Sequence, residues 1–238
     1  MRAPLGPDER GAWRFSAIIA GAGAGVRFGE SDKVFAPLAG RPILVRAVDA
    51  FALREDVDAL VVVLGAHTLE RGRALIRQAI ERDVIVCEGG PTRAASVLAG
   101  LRALPDRPGL VAVHDAARPL VTSELIGRTL AAARDAGAAA PALPVTDTIH
   151  ELGLDGTLAG TLDREVLRAA QTPQIARRDW LEHALRLDGP ATDEAGQLRA
   201  AGYPVRVVDG DPDNLKLTWP GDLPLAELIL AHRLAAAS

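Results

Sequence analysis

Up to Val145 the chain alternates short apolar runs of strand length with longer segments whose apolar residues recur at helical spacing. Phe15–Ala20, Ala59–Leu64, Asp83–Cys87, Leu110–His114 and Ala138–Val145 predict five strands, and the unbroken apolar character of Ala59–Leu64 is that of a strand covered on both faces. Between them, Leu44, Ala47, Val48 and Phe51 form one helical stripe in a helix predicted to start at Arg41-Pro42. A helix over His67–Arg82 turns Leu69, Ile76 and Ile80 inward, and one following Pro91-Thr92-Arg93 buries Ala94, Val97, Leu98, Leu101 and Leu104. A fourth, capped by Thr122 or Ser123, carries the stripe Ile126, Thr129, Leu130 and Ala133.

The alternation ends after Val145. Thr146–Leu162 contains Asp155-Gly156, a hairpin-turn signal, between loosely alternating segments, and predicts a projecting β-hairpin arm at about 146–165. An arm with so little core of its own needs a surface to pack on, and a second copy of the chain would supply it. Gln171-Thr172-Pro173-Gln174 reads as a polar segment. Trp180, Leu181, Ala184 and Leu185 mark a further helix, and a short one follows with Thr192 as its expected cap. Val205–Val208 is the last expected strand, before a terminal helix from about Pro220.

This order predicts an α/β fold: a Rossmann-like, three-layer domain with a mainly parallel sheet. The absence of a linker favours one domain over 15–238, preceded by a loose polar extension over 1–14. No apolar run approaches the roughly 20 residues of a membrane span. The lone Cys87 excludes an intrachain disulfide and is read as a small core residue. A soluble, cytoplasmic protein without a membrane partner is expected. The net charge of −4 argues against a general nucleic-acid surface. Among 27 basic residues only Lys33 and Lys216 are lysines, which singles out two places for a compact ammonium on a flexible stem.

Chemistry concentrates first after the opening strand, where Gly21, Gly23, Gly25 and Gly29 are followed or interleaved by Arg27 and Lys33. Such a loop brings backbone N–H groups close to an anion. It is neither a dinucleotide fingerprint, which lacks its third glycine and ribose acid here, nor a P-loop, because Asp32 precedes Lys33 and Val34 follows it. Arg93 and Ser96 share the first turn of a helix whose free N–H groups suit an anion or a base edge. Asp115 and Arg118 lie just past a strand end, where open α/β sheets bind ligands, whereas His114 is read as a satisfied core histidine.

Taken together, GAGAGVRF at Gly21–Phe28, Lys33, GGPTRAASV at Gly89–Val97, HDAARP at His114–Pro119, DT at Asp147-Thr148, DR at Asp163-Arg164, TPQ at Thr172–Gln174, TDEA at Thr192–Ala195 and NLKLT at Asn214–Thr218 resemble the 2-C-methyl-D-erythritol 4-phosphate cytidylyltransferases of the non-mevalonate isoprenoid pathway. The resemblance implies a homodimer embracing through the arm, with CTP and a polyol phosphate as substrates and pyrophosphate as product. It assigns Arg27 and Lys33 to the α-phosphate transition state, and Arg164 and Lys216 to the acceptor phosphate. Gly21, Ala22, Gly23, Gly25, Gly90, Pro91, Arg93 and Ser96 become nucleotide-binding, and Asp115, Arg118, Thr148, Thr172 and Thr192 line the acceptor pocket. Thr148 and Arg164 are expected from the partner's arm, and Mg²⁺ is expected chiefly on the CTP phosphates.

Three departures from the family pattern involve four positions: Gly21 in place of alanine, Asp32 and Val34 around the lysine, and Pro91, which has no N–H to offer a base. A ribitol 5-phosphate cytidylyltransferase is the nearest alternative. A non-catalytic nucleotide-binding protein is the alternative from another class, disfavoured by cations at both phosphate positions.

Overall fold

The computed structural model describes residues 14–23, 33–187 and 191–236. Residues 1–13 of the expected extension over 1–14, the loop residues Gly25 and Arg27, and Asp32 lie outside the described residues. The elements run β1 (Phe15–Gly21), β2 (Pro37–Leu38), β3 (Arg41–Pro42), α1 (Ile43–Ala52), β4 (Val57–Leu64), α2 (Leu69–Ala79), β5 (Ile85–Glu88), α3 (Arg93–Ala103), β6 (Leu110–Asp115), α4 (Ser123–Ala136) and β7 (Ala138–Pro144). They continue with β8 (Ile149–Leu152), β9 (Leu158–Leu162), β10 (Arg168–Ala170), β11 (Gln174–Arg177), α5 (Arg178–Ala184), α6 (Glu194–Ala200), β12 (Arg206–Asp209) and α7 (Asp222–Ala236).

The central sheet has the order β10-β7-β11-β6-β1-β4-β5, with β12 also paired to β7. β6, β1, β4 and β5 are mutually parallel, and β12 runs parallel to β7. β11 is antiparallel to both β6 and β7, so the sheet is mixed and largely parallel. This strand corrects the reading of Gln171–Gln174 as a merely polar segment. Gln174 begins a strand inside the sheet, and its polarity is explained by the hydrogen bonds it makes at the strand end.

Strand periodicity divides the core into two layers. Ala17 and Ile19 of β1 and Leu60, Val62 and Leu64 of β4 face α1, α2 and α4, whereas Ile18, Val61 and Val63 face α3, α5 and α6. The predicted stripe of α1 is fully buried, together with Ile43 and Val45, because α1 lies in a corner between the sheet and a third apolar cluster. Pro42 is the residue before α1 and pairs in β3, so the helix begins at Ile43, just after the start at Arg41-Pro42 read from sequence. The expected helix over His67–Arg82 is shorter: a single 3-10 turn at Ala66–Thr68 precedes α2, which ends at Ala79. Thr122 caps α4 by accepting from Leu125 N. Cys87 is half-buried at the sheet edge rather than enclosed, and burial pushes its thiol pKa up.

Outside the sheet, β8 and β9 form the predicted hairpin, with Gly156 at φ +80° in the turn. Leu152, Leu154, Leu158, Leu162 and Val166 of this arm are all exposed. Among the described residues no helix is long and apolar enough to cross a membrane.

Candidate active site

The parallel strands β6, β1, β4 and β5 end on the same edge of the sheet. The chain leaves β1 toward β4 on one side and returns to β6 on the other, so a crevice opens beyond the carboxyl ends of β1 and β6. Three chain segments enter it: Gly21–Gly23 from the last residue of β1, Gly89-Gly90 after β5, and Asp115–Arg118 from the last residue of β6.

The first two segments fit against one another through glycine. A Cβ on Gly89 would lie 2.6 Å from Ala22 Cβ and 2.8 Å from Ser96 Oγ, and one on Gly90 would lie 2.5 Å from Ala95 Cβ. The backbone after β5 therefore runs directly beneath the loop after β1. A Cβ on Gly21 would meet Leu64 Cδ2 at 3.0 Å and Ala116 Cβ at 3.3 Å, so glycine here accommodates Leu64. Ser96 is buried and donates to the carbonyls of Gly90 and Thr92, holding the loop to α3. Thr92 caps that helix by accepting from Ala95 N, and Pro91 is exposed at the rim.

Around Asp115 the structure gathers residues from far apart in the chain. Its Oδ1 accepts from Arg93 Nη1 at 2.6 Å, and its Oδ2 lies 2.9 Å from Lys216 Nζ and 3.6 Å from Arg118 Nε. Burial pulls the Asp115 pKa upward, but Arg93, Lys216 and Arg118 outweigh it and hold the carboxyl well below the usual range. Arg93 is itself forked onto Glu194, Nε to Oε1 at 3.0 Å and Nη2 to Oε2 at 2.9 Å. Burial opposes the Arg93 charge; Glu194 and Asp115 more than compensate, so its pKa lies above the ordinary value. Arg118 donates to the carbonyls of Asn214 and Ala170, burial lowers its pKa, and its Nε has no hydrogen-bond acceptor among the described residues.

Lys216 arrives because its neighbour is anchored. Leu217 is fully buried with Leu38, Ile43 and Leu120, and its N–H bonds to Ala117 O at 2.8 Å. Asn214 is buried as well and donates to Thr172 O. Thr172 sits behind Asp115: its Oγ1 accepts from Asp115 N and is 3.0 Å from His114 Nδ1. With His114 Nε2 3.0 Å from Arg118 O, the neutral tautomer carrying its proton on Nε2 satisfies both contacts. Burial lowers the His114 pKa to about 4, which agrees with the reading of a satisfied core histidine.

Of the residues singled out from sequence, Arg93, Asp115, Arg118, Thr172 and Lys216 thus form one cluster, and Gly21, Ala22, Gly23, Gly90, Pro91 and Ser96 border the adjoining crevice. Lys33 opens a short 3-10 turn after the glycine loop, ahead of β2. Thr148 and Arg164 are exposed on the arm, where Arg164 donates to Thr146 O. Thr192 is exposed and is not the cap of α6. Asp193 takes that place, accepting from Gly196 N, because it stands one residue nearer the first turn. Glu194 and Gln174 were missed as members of the site. The signal for Glu194 was the TDEA motif, in which a second acid after the cap is not needed for capping.

Among the described residues no group of three His, Cys, Asp or Glu side chains is placed to hold a metal ion. Asp115, the carboxylate nearest the crevice, has both oxygens engaged by cations.

The model of the family described as IspD, 2-C-methyl-D-erythritol 4-phosphate cytidylyltransferase, matches residues 15–232. The 2-C-methyl-D-erythritol 4-phosphate cytidylyltransferase of Symbiobacterium thermophilum is 46% identical over 220 residues, spanning 90% of this chain and 92% of that protein. Among solved structures, the Thermus thermophilus enzyme of the same name aligns with a TM-score of 0.71 at 34% identity, over 91% of this chain and 98% of that one. The 4-diphosphocytidyl-2C-methyl-D-erythritol synthase of Anaerococcus prevotii aligns with a TM-score of 0.79 at 25% identity, over 92% and 96%. With the fold, the crevice and these relatives in agreement, the chain belongs to the 2-C-methyl-D-erythritol 4-phosphate cytidylyltransferase (IspD) family.

Proposed function

We propose that this chain transfers the cytidylyl group of CTP to 2-C-methyl-D-erythritol 4-phosphate and releases pyrophosphate, a step in isoprenoid precursor synthesis. Family membership supports the reaction, and the observation that carries its residue assignment is the cluster of Lys216, Arg118 and Arg93 around Asp115. A phosphate oxygen of the acceptor attacks the α-phosphate of CTP, and the bond to the β-phosphate oxygen breaks. Two polyanions must meet, so catalysis is a matter of positive charge and alignment, and no side-chain nucleophile is required.

Lys216 takes the acceptor phosphate. Its ammonium, on a side chain about half exposed, is the outermost cation of the cluster, and Asp115 holds it at the mouth of the crevice. Arg118, buried beside Asp115, backs the same pocket. Lys33 and Arg27 act on the α-phosphate from the glycine-loop side. The crevice bordered by Gly21–Gly23 and Gly89-Gly90 takes the cytidine, with selectivity resting on backbone groups. Asp115, with Thr172 behind it, and Thr192 face the polyol.

Mg²⁺ would be carried by the CTP phosphates, where it would offset the negative charge of the triphosphate. A second copy of the chain covers the exposed leucines of the arm, and Thr148 and Arg164 reach the partner's acceptor pocket.

Pyrophosphate release with CTP, Mg²⁺ and methylerythritol 4-phosphate, run beside ribitol 5-phosphate, tests this reading. Faster turnover of methylerythritol 4-phosphate is expected. Failure with both acceptors and every nucleotide sinks the enzyme assignment, and the reverse preference assigns the chain to ribitol phosphate.

A further inference from the structure

Glu194 is a buried carboxylate, 2% exposed, too enclosed to touch a substrate. Its presence is not explained by the helix it begins. Asp193 already caps α6, and burial of Glu194 raises its pKa above the ordinary value, with Arg93 opposing the shift. Nor is Arg93 explained by α3, since a cation at a helix N-terminus opposes the helix dipole. Pairs of this kind are often no more stabilising than apolar residues of the same volume. What the pair does is geometric.

The two oxygens of Glu194 engage Nε and Nη2 of Arg93, which fixes the plane of the guanidinium and leaves Nη1 for Asp115 Oδ1 at 2.6 Å. Oδ2 of Asp115 then stays available to Lys216. Glu194 is in turn held in place from β11. Gln174 donates to Asp193 Oδ2 at 2.8 Å and accepts from Ala195 N at 2.7 Å, bracketing Glu194 on both sides. From Gln174 through the backbone at Asp193–Ala195 to Glu194, and on by side-chain contacts through Arg93 and Asp115 to Lys216, a path runs from the sheet to the exposed ammonium.

We infer that Glu194 is a positioning residue for the acceptor-phosphate site: by forking Arg93 it confines that arginine to one oxygen of Asp115 and reserves the other for Lys216. In Glu194→Gln the carboxamide presents one acceptor where the carboxylate presents two. Arg93 then turns to both oxygens of Asp115, since a forked guanidinium is a better carboxylate partner than an ammonium. Lys216 loses its tether. Seen from the crevice, Glu194 and Arg93 nearly cancel as charges, so the lost alignment outweighs the gain of positive field.

The role assigned to the site rests on the proposed function, whereas the tether itself can be read without substrate. Because Lys33 and Lys216 are the chain's two lysines, lysine-selective ¹³C labelling yields two side-chain Cε signals, assigned with Lys33→Arg. In Glu194→Gln the Lys216 signal is expected to move as it does in Asp115→Asn, while that of Lys33 stays. Glu194→Asp, which keeps the charge at shorter reach, should move it less and stands in if the glutamine variant does not fold. A Lys216 signal unmoved in the folded variant overturns the inference, whatever the wild type's activity. In turnover, KM for the acceptor should rise about 10-fold with KM for CTP near wild type. An acceptor KM that is unchanged or lower, or an equal rise for both substrates, also overturns it. Wild-type protein inactive with every pair of substrates would instead reject the function and leave the Lys216 signal to judge the tether.

Discussion

The ammonium of Lys216 lies 2.9 Å from Oδ2 of Asp115, an oxygen that it shares with Arg118 Nε at 3.6 Å. The aspartate is thus a holder of cations, and in the proposed function their charge meets the acceptor phosphate. Removing the ammonium while leaving its anchor, Leu217, should abolish acceptor handling without unfolding the site. Lys216→Ala is expected to lower kcat/KM for the acceptor by roughly 10²-fold at saturating CTP. Initial rates against acceptor concentration check this; an unchanged value removes Lys216 from the site.

Thr172 is engaged from two sides, accepting from Asp115 N and bonding to His114 Nδ1. Thr172→Val keeps the shape and leaves both partners buried and unsatisfied. A loss of about 1–3 kcal/mol is expected in urea unfolding. Because the backbone at Asp115 is then released, acceptor KM should rise as well, and a stable variant with wild-type kinetics would show that Thr172 does not orient Asp115.

His114 is fully buried and neutral, its pKa lowered from 6.5 to about 4 by burial. The unfolded chain therefore binds more protons between those values, and the stability owed to neutral His114 is complete above about pH 6.5 and lost as pH falls toward 4. The full effect is on the order of 3 kcal/mol. Glu194, whose pKa is raised, contributes in the opposite sense over part of this window, so the comparison must be between proteins. His114→Gln should flatten the slope of unfolding free energy with pH between 6.5 and 4 relative to wild type; identical slopes would show that His114 is not the titrating group.

Gly89 tests the close fit of the two glycine segments. A Cβ there would meet Ala22 Cβ at 2.6 Å, which cannot turn away without moving backbone, and Ser96 Oγ at 2.8 Å, which can turn only by giving up its bonds to the Gly90 and Thr92 carbonyls. Gly89→Ala should displace the loop after β1, raise KM for CTP about 10-fold and cost about 1–3 kcal/mol of stability. Melting temperature and CTP kinetics report the two effects, and a variant normal in both would mean that the loop relaxes freely.

The arm predicts assembly. Leu152 and Leu158 are more than half exposed in one hairpin, an arrangement that a partner surface would relieve. Wild-type protein should sediment as a dimer, and Leu152→Asp with Leu158→Asp should give a monomer of much reduced activity. A fully active monomer would place both halves of the acceptor pocket in one chain.

What the sequence determined by itself is the repeating part of the fold. The apolar runs ending at Ala20, Leu64, Cys87 and His114 and the helical stripes between them depend on local periodicity, and they became the parallel strands and the helices on both faces. The arm was equally legible from Asp155-Gly156, since a two-residue turn signal is local. Motif spelling singled out Asp115, Arg118 and Lys216 without showing that they meet. Tertiary structure alone decided that β11 inserts antiparallel between β6 and β7, because strand order depends on long-range pairing that periodicity does not encode. It also decided that Arg93 faces Asp115 and Glu194. A polar residue on the first turn of a helix looks solvated until the sheet brings two carboxylates, one close in sequence and one distant, to the same guanidinium.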